Sequence, residues 1–158
     1  MTYNWNQWLD RYISYLRAEK GASIHTVNSY RGDVVQFLKY IGTRAPVDRV
    51  LVRAYLADLR KRGLSRRTQS RKLAALNSFF RYLRREGLIA GNPLAGLHGP
   101  KLEKRLPMVL SSERVASLIE SADPSSPSGQ RDRAILELFY SSGLRVGELV
   151  SLRVGDVD

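Results

Sequence analysis

The sequence predicts an all-α protein: a bundle of four helices, a linker and a shorter helical segment. Three observations lead to this prediction. Apolar residues in the first hundred positions recur at the three- and four-residue spacing of amphipathic helices. The four segments that carry this spacing all stop at a Gly, the residue favoured just beyond a helix. After residue 87, the stretch LIAGNPLAGLHGPKLEKRLPMVL is too rich in Gly and Pro for a long helix.

The first two predicted helices cover about residues 4–20 and 24–41. The first ends at Gly21, and the second takes Ser23 as its N-cap and ends before Gly42. Each has one apolar side, which indicates a helix packed against a core. These sides are formed by Trp5, Trp8, Leu9, Tyr12, Ile13 and Leu16, and by Val27, Tyr30, Val34, Phe37, Leu38 and Ile41.

The third and fourth predicted helices follow the same plan. The third begins near residues 46–48, runs through VLVRAYLADLRKR and stops at Gly63. The fourth has Ser65 as its N-cap and continues through RRTQSRKLAALNSFFRYLRRE to Gly87. We expect its apolar side to face the core through Leu73, Leu76, Phe80 and Leu83.

We assign residues 1–98 to a first domain, 99–109 to a linker and 110–158 to a second segment. In that segment Ser111 or Ser112 caps the short helix SERVASLIESA, and DPSSPSG forms a loop before a helix over 130–142. Gly143 then turns the chain into a short helix that carries Arg145 and Glu148.

The net charge of +11 is concentrated in the first hundred residues. Residues 1–100 hold 18 Lys and Arg against 6 Asp and Glu, a net +12, whereas residues 101–158 hold 8 against 9, a net −1. Each phosphate that a protein neutralises releases a counterion, so this asymmetry favours a nucleic acid partner for the first domain. A membrane surface is a poorer match, because the cations are spread over several helices and not gathered beside a lipid anchor.

Composition excludes several other classes of protein. Without cysteine there is no disulfide scaffold, thiolate zinc site or cysteine nucleophile. Neither His25 nor His98 has a second ligand at metal spacing, so we predict no metal and no cofactor. The chain opens without an apolar leader and contains no run of roughly 20 apolar residues. We therefore expect a cytoplasmic protein that makes no membrane contact.

One side of the fourth helix is predicted to contact DNA. At about 100° per residue its members fall within about 40° of one line. A charged face is often only solvated, but here no acidic residue occurs between Asp58 and Glu86. Two small residues among the arginines also leave room for a groove to approach. The members of this side are Arg67, Arg71, Ala74, Ser78, Arg81 and Arg85.

Further DNA contacts are predicted on three neighbouring segments. Arg66, Arg67 and Thr68 lie at a helix N-terminus, where free backbone N–H groups favour phosphate, whereas Ser65 is mainly a cap. Asn and Gln side chains can pair with adenine edges, although ordinary polar surface explains them equally well. The remaining predicted contacts are His25, Asn28, Gln36 and Lys39 on the second helix, and Lys101 and Lys104 in the linker.

Arg145 stands in the stretch GLRVGELVSL, three residues before Glu148. Taken alone, the two residues are an ordinary ion pair along a helix. However, Gly143 and Gly147 add little bulk beside the arginine, so a large anion could come close. A guanidinium at a helix start can make two parallel hydrogen bonds to a phosphate whose charge grows during displacement. In that interpretation Glu148 orients Arg145.

The sequence resembles the tyrosine recombinases, most closely their Xer-type site-specific members. SIHTVNSYRGDVVQFLKYI and LSRRTQSRKLAALNSFFRYL are similar to the core-binding, SAM-like domain of that family. LPMVLSSERVASLI and RDRAILELFYSSGLRVGELVSLRVGDVD are similar to the start of its catalytic domain. The resemblance implies a SAM-like four-helix bundle followed by a catalytic-domain fragment. It also implies that Arg145 is the first catalytic arginine, which contacts the scissile phosphate, and that Glu148 supports it.

In such proteins the remaining catalytic groups lie C-terminal to this arginine. They are a β-hairpin lysine, a His-x-x-Arg motif, a further His or Trp, and a tyrosine that forms a 3′-phosphotyrosyl link to DNA. Residues 146–158 contain no His, Lys or Tyr, and the nearest tyrosine, Tyr140, is expected in the core. We therefore expect this chain to bind duplex DNA weakly and in a salt-dependent way without cleaving it. The resemblance implies that a full-length recombinase of this kind exchanges DNA strands together with other recombinase subunits and needs no cofactor.

Two other interpretations remain open at the level of the sequence: a stand-alone, non-enzymatic DNA-binding or regulatory protein, and a basic helical module for protein or RNA. The sequence leaves open the recombination site and the choice between chromosome-dimer resolution and mobile-element integration. A partial catalytic domain also exposes apolar surface, so we expect some self-association through the second segment. The residues concerned are Leu118, Ile119, Ile135, Leu138 and Phe139.

Overall fold

The computed structural model describes residues 3–42, 44, 46–101 and 109–156. The chain divides into two compact units, Met1–Lys104 and Arg105–Asp158. All regular structure within the described ranges is helical, which confirms the predicted all-α class. Among these residues no helix is both long enough and apolar enough to cross a bilayer.

Unit 1 contains the four predicted helices: α1 (Trp5–Ala18), α2 (Ile24–Ile41), α3 (Arg49–Lys61) and α4 (Arg66–Arg85). Each begins after a residue whose side chain accepts a hydrogen bond from a backbone N–H of the first turn, namely Asn4, Ser23, Asp48 and Ser65. Such caps satisfy donors that have no partner inside the helix. The predicted N-caps Ser23 and Ser65 are therefore confirmed.

The core of unit 1 is an aromatic cluster shared by α1, α2, α3 and α4. Tyr12, Phe37 and Phe79 are fully buried, and Phe80 and Tyr55 are 1% exposed. The rings of Tyr12 and Phe79 lie 5.3 Å apart, and those of Phe37 and Tyr55 lie 5.1 Å apart. Edge-on aromatic pairs of this kind add about 0.5–1.5 kcal/mol each beyond their buried area. The predicted apolar side of α4 is confirmed, since Leu73, Leu76, Phe80 and Leu83 are all buried.

Unit 2 contains α5 (Ser112–Glu120), α6 (Pro127–Ser142), α7 (Val146–Ser151) and a 3₁₀ turn at Val154–Asp156. α6 begins three residues before the predicted position 130, inside the stretch expected to be a loop. The reason is local: Ser126 accepts from the Gly129 N–H at 3.1 Å, and Pro127 occupies the first turn, where its missing N–H costs nothing.

Unit 2 leaves much of its apolar surface uncovered. Among its described residues only Gly129 is buried. Tyr140, which we expected in the core, is 62% exposed, because the described helices of this unit place nothing over its ring. Of the apolar residues expected at the surface, Leu118 and Ile135 are exposed, and Ile119, Leu138 and Phe139 are half-buried. A groove of about 600 Å³ lies between α6 and α7, lined mainly by Ile135, Phe139, Val146, Leu149, Val150 and Leu152.

Candidate nucleic-acid interface and phosphate site

The predicted basic side of α4 is exposed in the structure, and some arginines of this helix form no ion pair within the described residues. Arg67, Arg81 and Arg84 are exposed, and none of the ion pairs formed by the described residues includes them. Ala74 is exposed between them, and Ser78 is half-buried beside the Tyr12 hydroxyl. Burial raises the pKa of that hydroxyl to about 12. Sequence reasoning missed Arg84, because it lies about 100° from the centre line of the predicted side, next to Leu73.

The N-terminus of α4 is organised by its cap. The Ser65 hydroxyl accepts from the Thr68 N–H at 3.2 Å, and the two side-chain oxygens lie 2.9 Å apart. The Thr68 hydroxyl, predicted to contact phosphate, is thus engaged within the protein. Arg66 and Arg67 are exposed on the same turn, so this end of the helix is basic.

A buried acid on α2 pairs with the cations of α4. Asp33 is 2% exposed; its Oδ1 accepts from Lys72 Nζ at 2.8 Å and its Oδ2 from Arg71 Nη1. Lys72 also donates to Gln36 Oε1. Gln36, predicted to face outward, is instead half-buried, because the buried ammonium of Lys72 requires a second acceptor. Arg71, predicted on the open DNA side, is ion-paired but keeps 44% of its side chain exposed.

Sequence reasoning missed Asp33 and Lys72, although a helical projection contained the signal. Asp33 is the lone acid of α2, and its angle places it at the border of the apolar side, about 40° from Phe37. An acid in such a position needs a partner from another helix. The identity of that partner does not follow from the sequence.

Arg85 lies at the other end of α4 and is held against α1. Its guanidinium carbon is 4.2 Å from the centroid of the Tyr15 ring, and its nitrogens lie 2.9 Å from Glu86 and 3.4 Å from Glu19. The hydrogen bond to Glu86 is the main cause that raises the pKa of Arg85. Two carboxylates and an aromatic face therefore offset the charge of this predicted DNA contact.

The polar side of α2 is open. His25, Asn28 and Lys39 are exposed, and nothing lies within 4 Å of the position that a Cβ would take at Gly32. In the linker Lys101 is exposed, whereas Lys104 lies outside the described residues. The Asp33 network joins α2 to α4, so the open side of α2 adjoins the start of the basic side of α4.

Arg145 precedes the first turn of α7 as its N-cap residue, and 87% of its side chain is exposed. One Glu148 oxygen accepts from the Arg145 backbone N–H at 2.8 Å, and the other accepts from Nη1 at 3.0 Å. The same two hydrogen bonds, the backbone one first, lower the pKa of Glu148. The Arg145–Glu148 ion pair predicted from their spacing is confirmed.

The surroundings of Arg145 leave room for an anion. Gly143 ends α6 in the left-handed conformation, with φ +63°, which an L side chain rarely adopts. Nothing lies within 4 Å of the Cβ position of Gly147. The Arg145 side chain thus extends into solvent, no side chain stands at position 143 or 147 to block it, and its guanidinium can bind an oxyanion. Within the described ranges, no group of His, Asp or Glu side chains is arranged to hold a metal ion.

Comparison with known proteins identifies relatives of both units. The model of the phage integrase N-terminal SAM-like domain matches residues 9–87, and that of the phage integrase family matches residues 108–158. The tyrosine recombinase XerC of Pelotomaculum thermopropionicum is 45% identical over 95% of this chain and 52% of its own length. XerC of Bacillus subtilis strain 168 is 40% identical over 93% and 50%. The chain therefore spans about half the length of these curated relatives.

Solved structures share the fold. A lambda integrase tetramer bound to a Holliday junction has a TM-score of 0.75 at 24% identity, over 97% of this chain and 43% of that one. XerA recombinase has a TM-score of 0.51 at 27% identity, over 98% and 52%. These likenesses, with the family match, confirm the SAM-like helical bundle expected for the first domain.

Proposed function

The chain belongs to the phage integrase family, and from this membership we propose that it is the DNA-binding portion of a site-specific tyrosine recombinase. Unit 1 binds duplex DNA, and unit 2 carries the first catalytic arginine, Arg145. The observation that carries the DNA-binding role is the set of exposed arginines on α4, since Arg67, Arg81 and Arg84 form none of the ion pairs in the described ranges. The family match favours this role over a stand-alone regulatory protein or an RNA-binding module.

The basic side of α4 and the polar side of α2 contribute to DNA binding in different ways. Arginines that no carboxylate offsets attract phosphates and release counterions, which supplies affinity without sequence preference. Asn28 and His25 are exposed on α2 and carry the donors and acceptors that can read base edges. Arg85 contributes less to affinity than Arg67 or Arg81, because Glu19 and Glu86 already offset its charge.

In the whole recombinase, Arg145 holds the scissile phosphate. A tyrosine hydroxyl attacks the phosphorus, the 5′ oxygen leaves, and the DNA strand remains joined to the protein through a 3′-phosphotyrosyl bond. Negative charge grows on the non-bridging oxygens during this step, and a preorganised guanidinium stabilises it. Glu148 holds Arg145 by its backbone and its side chain, so the guanidinium is in place before DNA arrives. The new bond conserves the energy of the old one, so the reaction requires no nucleotide or metal.

The partners of the protein are duplex DNA and further recombinase subunits. Related integrases of the same fold are described as a tetramer on a Holliday junction and a dimer on a core site, which supports assembly on DNA. We place the protein in the cytoplasm, in keeping with DNA as its partner.

The test is the salt dependence of binding to a fluorescently labelled duplex. The triple variant R67Q/R81Q/R84Q should bind more weakly, and its slope of log K against log salt should fall by roughly 0.9 for each phosphate that the variant no longer neutralises. The matched control is R114Q/R131Q/R133Q, which removes the same charge from unit 2 and should retain the slope. Equal weakening in both variants, or a preference for RNA over duplex DNA, would overturn the proposal.

A further inference from the structure

The Asp33 carboxylate lies buried under the surface that unit 1 offers to DNA. Its side chain is 3% exposed, and its two partners on α4 differ sharply, since Lys72 is 9% exposed and Arg71 is 44% exposed. One oxygen faces the buried ammonium and the other faces the half-exposed guanidinium. The three side chains carry one surplus positive charge, and that charge is on the solvent side.

An acid at this position is unfavourable on two simple grounds. A buried carboxylate loses its hydration, and negative charge close to a DNA-binding surface repels the phosphates. A neutral side chain of the same size would avoid both effects. The arrangement therefore calls for a role that neutral residues cannot fill.

Lys72 and Gln36 make such a role possible. The Lys72 ammonium donates to both Asp33 and Gln36, so the buried carboxylate already has a counter-charge beneath the surface. The second oxygen of Asp33 can then hold Arg71, and the Arg71 guanidinium is only partly neutralised. A guanidinium has five N–H donors, and the bond through Nη1 leaves others for a phosphate.

Building on the proposed DNA-binding role of α2 and α4, we propose that Asp33 is a positioning residue that holds the Arg71 guanidinium ready for a DNA phosphate. A free arginine side chain must give up its rotamers when it binds, and a side chain held by Asp33 has already done so. Asp33 thereby strengthens DNA binding through Arg71, although its own charge opposes binding.

The competing explanation is a purely structural ion pair between α2 and α4. The two explanations predict opposite signs for the effect of neutralising Asp33 on DNA affinity. If Asp33 only joins the helices, its neutralisation removes a repulsive charge and binding tightens. If Asp33 positions Arg71, binding weakens, but only while Arg71 is present.

The experiment is a double-mutant cycle in the 158-residue chain, read out as affinity for a fluorescein-labelled duplex of mixed sequence. All variants retain Lys72, so that Asp33 keeps a buried counter-charge in R71Q, and Lys72 keeps Gln36 and the new amide oxygen as acceptors in D33N. The binding assay is run below the unfolding transition of every variant, as followed by circular dichroism. The cycle compares D33N, R71Q and their combination. E120Q, which removes one exposed acid from unit 2, is the matched control for charge.

We expect D33N to weaken binding roughly two- to tenfold, the range given by ordering one long side chain. In the R71Q background D33N should have no effect or tighten binding, and E120Q should not weaken it. Tighter binding by D33N while Arg71 is present, or equal weakening in both backgrounds, would overturn the inference and leave the proposed function intact. A parent chain that does not bind duplex DNA would overturn both.

A second measurement is independent of DNA. Heteronuclear NMR of the guanidinium groups should resolve slowly exchanging Nη–H signals of Arg71 in the parent chain. D33N should abolish these signals, whereas those of ion-paired Arg85 should persist. Arg71 signals that are equally broad in both chains would overturn the inference, because Asp33 would then not hold the guanidinium.

Discussion

Glu148 accepts two hydrogen bonds from Arg145, one from the backbone N–H at 2.8 Å and one from the Nη1 group at 3.0 Å. Both carboxylate oxygens are thus directed to one residue. The backbone hydrogen bond holds the turn that begins α7, and the side-chain hydrogen bond holds the guanidinium of Arg145. The orientation of the proposed phosphate contact therefore depends on the charge of Glu148.

Protonation of Glu148 at low pH should break its hydrogen bonds with Arg145. Because the pKa of Glu148 is lowered from its ordinary 4.5 in the folded chain, its contribution is present above that value and is lost as the pH falls through the lowered pKa. The backbone amide resonance of Arg145 should shift with a midpoint below 4.5. In E148Q that shift should disappear. A midpoint at or above the ordinary value would contradict the two-point contact.

Removing Asp33 without compensation should destabilise unit 1. D33A leaves the Lys72 ammonium, 9% exposed, without its carboxylate, and the loss of one partner of a buried pair costs about 3–5 kcal/mol. The double variant D33L/K72M removes both charges and should recover most of that loss. Urea unfolding followed by tryptophan fluorescence reports on this unit alone, because both tryptophans, Trp5 and Trp8, lie in α1. Equal destabilisation by the single and double variants would contradict the argument.

Alkaline pH should also destabilise unit 1. Burial is the main cause that raises the pKa of Tyr55 from 10.0 to about 12, and the charge of Asp33 adds to it. Since the folded state holds this proton longer than the unfolded state, stability is full below pH 10 and is lost as the pH rises towards 12. Y55F retains the ring against Phe37 but has no proton to lose. Between pH 10 and pH 12 its free energy of unfolding should therefore fall less than that of the parent chain, by up to about 2 kcal/mol. The exposed-site variant Y140F should behave like the parent chain.

This chain should form no covalent adduct with DNA. Residues 146–158 hold no tyrosine and Tyr140 precedes Arg145, so within these 158 residues no tyrosine lies C-terminal to the proposed catalytic arginine. A nicked suicide substrate traps a phosphotyrosyl adduct as a shifted band on a denaturing gel. The expected result is no band in either the parent chain or Y140F. A band that Y140F abolishes would show that Tyr140 acts as a nucleophile.

Unit 2 should associate with itself at high concentration. Val146 and Val150 are 65% and 79% exposed beside the apolar groove of α6 and α7. Exposed apolar patches favour contact between copies. V146E/V150E should therefore lower the average mass in sedimentation equilibrium, whereas the polar-site control S117E/S151E should not. A parent chain that remains monomeric at the highest concentration reached would refute the expectation.

The sequence by itself determined the four helices of unit 1, the caps Ser23 and Ser65, and the apolar sides of α1, α2 and α4. These features depend on residues within one or two turns of each other: Ser65 caps α4 through Thr68, and Arg145 pairs with Glu148 three residues away. Local hydrogen bonding and the helical period are enough to predict them. The proposed role of Arg145 followed in the same way from a short stretch of sequence, GLRVGELVSL, and from its resemblance to the tyrosine recombinases.

Only the tertiary structure decided which arginines of α4 stay open to solvent. The sequence between Asp58 and Glu86 has no acid, yet Arg71 meets Asp33 across 38 positions and Arg85 meets Glu19 across 66. Tyr140 is exposed for a related reason, since burial requires a second element to lie over the ring. Such contacts depend on how helices pack against each other, and the periodicity of one helix carries no information about its neighbour's charges.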